Sequence, residues 1–314
     1  MKLMAEISDY DKFDYDYSTY WKGRSYENSA EKHILNKVFN SKRGQLFLDI
    51  GGSYGRLTST YHEQYKKPII LDYSLKTLQR NNEILQSKYP NVELIAANAY
   101  KLPFKNNSFD GALMVRVLHH IEKPKIYFKE LRRILKHDST YVQEYANKKH
   151  IKAVIRALLK LDLSIFSPEP YQQPKAHNSE GSQDDQESIF YNYHPKYIKN
   201  LLQTNKFILK KKYGCSFLRS PLIKKIFNDD ILMFFEKIFQ ETLSWSDISP
   251  SIFLDTQVKK DEGEYDIEDL TLEDILACPT CKDSLIFESH SVAVCNKCSQ
   301  SFFKKDGIWD FRVK

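Results

Sequence analysis

The sequence predicts an α/β protein: a mostly parallel seven-stranded sheet with helices on both faces, followed by a small cysteine-rich terminal domain. Three observations carry this. Short apolar runs alternate with segments of helical periodicity from residue 46 onward. A glycine-rich turn follows the first of those runs. Four of the five cysteines lie in the last 37 residues, in two CxxC pairs.

The elements follow in order. Ala30, Ile34, Leu35 and Val38 recur at helical spacing from Ser29 to Phe39, and Lys42–Gly44 stops the helix. A buried strand at Leu46–Ile50 leads through the glycine turn into a predicted helix. Pro68–Asp72 is the second strand and Ser74–Lys88 its helix. Val92–Ala96, Asp110–Val115 and Thr140–Tyr145 are further strands, with a helix at Pro124–Leu135. This alternation predicts parallel pairing with helical crossovers. An amphipathic helix at Ile151–Phe166 and a polar stretch to Ser188 interrupt the pattern. It resumes with a helix at His194–Thr204, a strand at Phe207–Tyr213, an apolar helix at Pro221–Thr242 and a strand at Ser251–Val258. The division expected is residues 1–260 for the main domain (150–192 a lid or insertion), 261–274 for an acidic linker, and 275–314 for the terminal domain.

Composition bounds the function. With 41% hydrophobic and 28% charged residues the chain can fill a core, which excludes disorder throughout. No run approaches the roughly 18 to 20 apolar residues of a membrane span. The acidic, aromatic N-terminus lacks the regions of a signal peptide, so a cytoplasmic protein is expected. The net charge of +6 is uneven: residues 261–314 carry twelve acidic and six basic side chains, and the preceding body is strongly basic. Such a body suits anionic partners, or its acidic tail.

The segment FLDIGGSYGRL (Phe47–Leu57) is the strongest feature of the main domain. Glycines permit positive φ and close approach of a ligand to the backbone, and a helix starting there would offer free N–H groups. The second strand ends in Asp72, an acceptor for ribose hydroxyls about twenty residues on. The third ends in Ala97-Asn98-Ala99, able to read an adenine edge.

These residues resemble the class I S-adenosylmethionine-dependent methyltransferases, in particular the large group that includes ubiquinone-type methyltransferases. The resemblance rests on LDIGGSYGR, IILDYS, ANAYKLPFKNNSFDGALMVRVLHHI and FKELRRILK, and covers about the first 145 residues closely. It implies a Rossmann-like fold, with Asp49, Gly51, Gly52, Ser53 and Gly55 at the methionine portion of S-adenosylmethionine. Asp72 and Tyr73 fall at the ribose, Asn98 and Ala99 at the adenine, and Val115 and Arg116 at the sulfonium. Tyr20 and Arg24, in STYWKGRSYE, resemble an N-terminal cover. Ser53 replaces the middle glycine of the usual turn and is compatible with it at negative φ. A dinucleotide dehydrogenase is the competing reading of the turn; the LPF…SFD loop and VLHHI favour the methyl donor.

His119 and His120 are the candidate general bases, the alternative being that one packs or caps a helix. No Asn/Asp-Pro-Pro-aromatic motif follows the fourth strand, which argues against amide or exocyclic nitrogen acceptors. The helix at Ile151–Phe166 is read as a lid rather than a membrane-surface helix, because the apolar segment Ile231–Phe239 needs a partner.

Cys278, Cys281, Cys295 and Cys298 have the spacing of a structural four-thiolate zinc ribbon. ILACPTCKDSLIFE and CNKCSQSFFKKDGIWDFR resemble the small zinc-binding activators of rRNA, tRNA and release-factor methyltransferases, which implies docking in cis on the main domain. The function expected is methyl transfer to an unidentified acceptor: RNA or a translation protein, or else a small or lipid-like molecule. The alternative is a non-catalytic S-adenosylmethionine-binding or protein-docking module of the translation machinery.

Overall fold

The computed structural model describes residues 19–173, 190–260 and 271–313. Most of the polar stretch before Ser188 and of the acidic linker lies outside them. The strands are β1 (Gly44–Ile50), β2 (Tyr65–Asp72), β3 (Glu93–Ala96), β4 (Phe109–Met114), β5 (Leu135–Ala146), β6 (Tyr171–Gln172), β7 (Tyr191–Asn192), β8 (Phe207–Cys215), β9 (Ser251–Val258), β10 (Leu285–Ser289), β11 (Val292–Cys295), β12 (Ser301–Lys305) and β13 (Ile308–Asp310). The helices are α1 (Ser25–Phe39), α2 (Leu75–Lys88), α3 (Pro124–Ile134), α4 (Ile151–Leu159), α5 (Pro195–Thr204), α6 (Pro221–Ile226), α7 (Asp229–Thr242) and α8 (Leu272–Ile275).

The seven predicted strands are present, in the order β3-β2-β1-β4-β5-β9-β8, and β9 runs antiparallel to both neighbours. The sheet does not stop there. It has eleven strands, because β13 pairs in parallel with the open edge of β3 (Trp309 beside Ile95, Asp310 beside Ala96) and brings β12, β11 and β10 with it. An edge strand offers unpaired N–H and C=O groups, and here the terminal domain covers them.

The apolar residues of each strand alternate between two layers. Phe47, Leu113 and Val142 face α1 through Ile34, Leu35 and Phe39. Leu46, Leu48, Ile69 and Met114 face α3 and α5, and that cluster continues into Trp309 and Phe311. Asp110, the last residue of the NNSFD run, accepts from the backbone N–H groups of Gln45 (2.8 Å) and Leu46 (2.9 Å) and from Lys136 Nζ (2.9 Å). It ties β1, β4 and β5 together at the end of the sheet opposite their C-termini.

Four expectations need correction. No α-helix follows the glycine turn: residues 51–57 are turns, and only a one-turn 3-10 helix forms at Thr58–Thr60. The helix-dipole argument therefore does not apply to this turn. The helix expected at Pro221–Thr242 is two helices, because Phe227 is extended and Asn228 recaps the chain, its Oδ1 accepting from Ile231 N at 3.0 Å. The helix expected at Ile151–Phe166 ends at Leu159, with Leu161 left-handed at φ 53°. Finally, the apolar faces of α4 and α7 do not cover one another: Leu159 is 82% exposed and Phe234 62%.

Candidate functional site

The predicted site residues gather along one edge of the sheet because β1 to β4 are parallel and end together. Asp49 stands beside Ile70 and Leu113, and Asp72 beside Ala96. Asn98 lies just past β3, and Val115 and Arg116 just past β4.

The glycine turn is built from alternating left-handed residues: Gly51 at φ 73°, Ser53 at φ 49° and Gly55 at φ 72°. Ser53 is thus left-handed and does not meet the condition of negative φ under which serine suits this turn. A Cβ at Gly51 would come within 2.3 Å of Val117, and one at Gly55 within 2.4 Å of Leu85, so no side chain fits either place. The Asp72 carboxylate bridges the turn and the next helix, accepting from Ser53 N (3.0 Å) and Ser74 N (2.9 Å). Ser53 Oγ is buried with no hydrogen-bond partner. Asn98 turns its Oδ1 back to accept from Tyr100 N at 2.8 Å, which fixes the loop that carries Ala99.

Asp49 is buried beneath the turn, and a Cβ on Gly52 would sit 2.9 Å from its carboxyl. It accepts from Tyr61 Oη at 2.8 Å. Burial pushes its carboxyl up to about 7, although the Tyr61 hydroxyl pulls the other way.

Sequence reasoning missed a buried ionic network beside this edge. Glu31 on α1 accepts from Arg116 Nε (2.8 Å) and Nη2 (2.5 Å) and from Arg56 Nη2 (2.6 Å). Burial alone would raise the Glu31 carboxyl, but the two guanidinium groups hold it below its usual range. Arg116 sits at φ 62°, and its backbone N–H donates to the buried Glu144 at 2.8 Å. Trp21 covers the network, with Arg56 3.6 Å and Arg116 5.7 Å from its ring centroid. Tyr20, edge-on to Trp21, carries the Arg24 guanidinium 4.1 Å from its own ring centroid. The missed signal was available: Glu27 and Glu31 share the face of α1 that carries Ile34 and Val38, and a carboxylate on an apolar face needs a buried partner.

His119 and His120 form a 3-10 turn beyond Arg116. His119 is buried, stacked on Phe190 with ring centroids 4.1 Å apart, and burial, then His120 and Arg116, hold it well below the ordinary histidine range. His120 is half-buried. Tyr193 Oη donates to Leu118 O and Ile121 O, both at 3.1 Å, and pins this turn.

Residues 48–142 match the family described as methyltransferase domain. Over 227 residues the chain is 30% identical to an uncharacterized protein of Methanocaldococcus jannaschii, spanning 69% of this chain and 82% of that one. Residues 48–142 thus carry a methyltransferase domain, and the chain belongs to one family with the Methanocaldococcus jannaschii protein. One chain of a complex between the Haloferax volcanii Trm112 methyltransferase activator and a methyltransferase shares the fold of this methyltransferase chain, with TM-score 0.53, 13% identity, and 81% and 97% coverage of this and that chain. So does an S-adenosylmethionine-dependent methyltransferase of Thermotoga maritima, at TM-score 0.51, 15% identity, and 80% and 98% coverage. The chain spans between 30% and 56% of several further curated methyltransferases.

The methyltransferase domain is joined to a second candidate centre. The sulfurs of Cys278, Cys281, Cys295 and Cys298 lie within 4.8 Å of one another. The Cys278–Cys298 and Cys281–Cys295 pairs are 3.6 and 3.3 Å apart. A tetrahedral metal with four thiolates about 2.3 Å away sets sulfurs at roughly this spacing. The module is fastened to the methyltransferase domain at several points. Leu276 bridges Phe104, Lys282 pairs with Glu130, and Phe311 N donates to Ala96 O at 2.8 Å. Its end reaches the candidate site, where Arg312 lies 6.0 Å from the ring of Tyr73.

Proposed function

We propose that the chain is an S-adenosylmethionine-dependent methyltransferase carrying its own zinc ribbon as a fixed edge of the sheet. One observation carries this reading: Asp49, Asp72, Asn98 and Arg116 lie at the C-terminal ends of four adjacent parallel strands, beside a turn whose Gly51 and Gly55 leave no room for a Cβ. The unpartnered Ser53 Oγ fits a bound polar ligand.

The donor's sulfonium supplies the activated methyl group, so the protein's task is alignment, exclusion of water and proton removal. Gly51, Gly52, Ser53 and Gly55 let the methionine portion lie against the backbone. Asp72, held by two N–H groups, accepts from the ribose, with Tyr73 beside it. Asn98 and Ala99 border the adenine. Val115 and Arg116 border the reacting end, and Arg116 is kept there by Glu31 and Glu144. Tyr20, Trp21 and Arg24 close the corner against water. His119 and His120 are the candidate bases; His120, the less buried, is better placed to meet an acceptor. The acceptor is either RNA or a translation protein, as the basic body and the ribbon favour, or a small or lipid-like molecule. Turnover of labelled donor against extract fractions separates these.

Asp72→Ala should weaken binding of S-adenosylhomocysteine about ten- to a hundredfold in calorimetry, the loss of hydrogen bonds to a charged acceptor. Unchanged affinity would remove Asp72 from the site. A second expectation concerns pH. A cationic donor on the turn favours the ionised form of Asp49, whose carboxyl is up at about 7 in the free protein. Binding should therefore release a proton and tighten as pH rises from about 6 to 8. Asp49→Asn should flatten that dependence; a slope that survives the substitution rules Asp49 out as its source.

The four cysteines are proposed to hold one zinc ion, all positions being filled by thiolate and the role structural. Metal analysis of protein prepared in reducing buffer tests this, and a metal-free, fully folded chain would end it.

A further inference from the structure

Helix α4 turns its apolar side outward. Ile151, Ile155, Leu158 and Leu159 share one face at i, i+4, i+7 and i+8, and are 48%, 52%, 54% and 82% exposed, while Ala157 on the opposite side is buried. Lys152 and Arg156, both exposed, flank this stripe along one side. The chain continues in the same manner, with exposed Lys160 and with Leu161 at 88%. Residues 149–166 hold four basic side chains against the single acid Asp162. The stripe has an aromatic neighbour: Ile151 N donates to Ile248 O at 2.9 Å and Asn147 Nδ2 to Asp247 O at 2.6 Å. These bonds set the start of α4 against the loop that presents Trp245, itself 77% exposed. Exposed apolar surface gathered in this way marks an interaction site.

We propose that α4 and the turn after it dock on the surface of an anionic lipid bilayer. The apolar stripe enters the acyl boundary, Trp245 sits at the interface, and Lys152, Arg156 and Lys160 meet the headgroups. Charge selects this occupant: a second copy packed on the same face would oppose two basic stripes, whereas acidic headgroups neutralise one. No helix among the described residues is long and apolar enough to cross a membrane, so the contact is peripheral. Because α4 leaves from the C-terminal end of β5, docking sets the edge that carries Asp49, Asp72 and Arg116 next to the bilayer.

The test is co-sedimentation of the full chain with vesicles of phosphatidylglycerol and phosphatidylcholine, compared with phosphatidylcholine alone. Binding should require the anionic lipid and fall as salt approaches about 0.5 M. Ile155→Glu with Leu159→Glu, and separately Lys152→Glu with Arg156→Glu, should each lower partitioning about tenfold or more. All four side chains are exposed, so the variants should keep the wild-type melting curve and affinity for S-adenosylhomocysteine. Vesicle binding in a chain that fails to bind S-adenosylhomocysteine would strike the methyltransferase reading and leave this one standing. No binding of the full chain to anionic vesicles, or binding that both double variants retain, overturns it. So does a dimer that either variant dissociates in the absence of vesicle binding, which would give the face to a second copy.

Discussion

Replacing Cys278 and Cys281 by serine should lower the melting temperature of the whole chain, not of its last forty residues alone. A module of that size buries too little surface to fold unaided, so the proposed zinc would supply much of its folding energy. Here the module's core is also the sheet's core. Ile308 is fully buried among Ile70, Leu78 and Leu85, and Trp309 and Phe311 belong to the cluster that contains Ile95 and Phe104. Releasing β13 would uncover those side chains and the open edge of β3, and truncating one such aromatic side chain costs about 3–5 kcal/mol. A loss of about 5 kcal/mol corresponds to a fall of roughly 10–20 °C for a domain of this size. Strong chelation of the wild type should do the same. Calorimetric scans with and without chelator provide the check; two separate transitions, the upper one unmoved, would show that the ribbon is merely tethered. Because Arg312 reaches toward Tyr73, the same variants should bind S-adenosylhomocysteine more weakly at temperatures where the sheet is still folded.

The strand ends that carry Asp49, Asp72 and Asn98 were legible in the sequence for a local reason. Each of Asp49, Asp72 and Asn98 follows a short apolar run, and a run buried on both faces can only be an inner strand, whose end is then a predictable place. The alternation also yields parallel pairing, so those ends had to fall on one edge. What stayed hidden depends on partners distant in the chain. Trp309 and Asp310 have no local signature of a strand that completes another domain's sheet. The helix expected after Gly55 is absent although its residues are not strong helix breakers; left-handed Gly51, Ser53 and Gly55 spend that segment on the turn. Phe227 and Asn228 divide α6 from α7 through a side-chain cap, which apolar periodicity alone passes over. Glu31 is the most instructive miss. Its position on the buried face of α1 was readable, but its partners Arg56 and Arg116 lie 25 and 85 residues away.

Glu31→Ala should be among the most destabilising substitutions outside the apolar core. The carboxylate is fully buried and holds two guanidinium groups, one on the glycine turn's flank and one past β4. Removing it leaves Arg56 and Arg116 facing each other without their shared counter-charge, and breaking a buried pair this way costs about 3–5 kcal/mol. Glu31→Gln keeps a hydrogen-bond acceptor without the charge and should fall between. Equilibrium urea unfolding reads both, and a loss below about 1 kcal/mol for the alanine variant would mean the network adds little. The pH dependence has a definite sign. The folded-state carboxyl lies below its unfolded value, so the contribution is complete above the unfolded pKa, about 4.3, and disappears as pH falls through the lower folded value. The alanine variant should accordingly show a shallower loss of stability in acid than the wild type. Arg116 also turns its backbone N–H to Glu144, so its main chain should stay in place while its side chain is released. Glu31→Ala is thus expected to weaken S-adenosylhomocysteine binding through the reacting end of the site while leaving the contribution of Asp72 intact. A double variant with Asp72→Ala tests this: additive losses in calorimetry place the two residues at separate parts of the ligand, and a double variant no weaker than Asp72→Ala alone would contradict that placement.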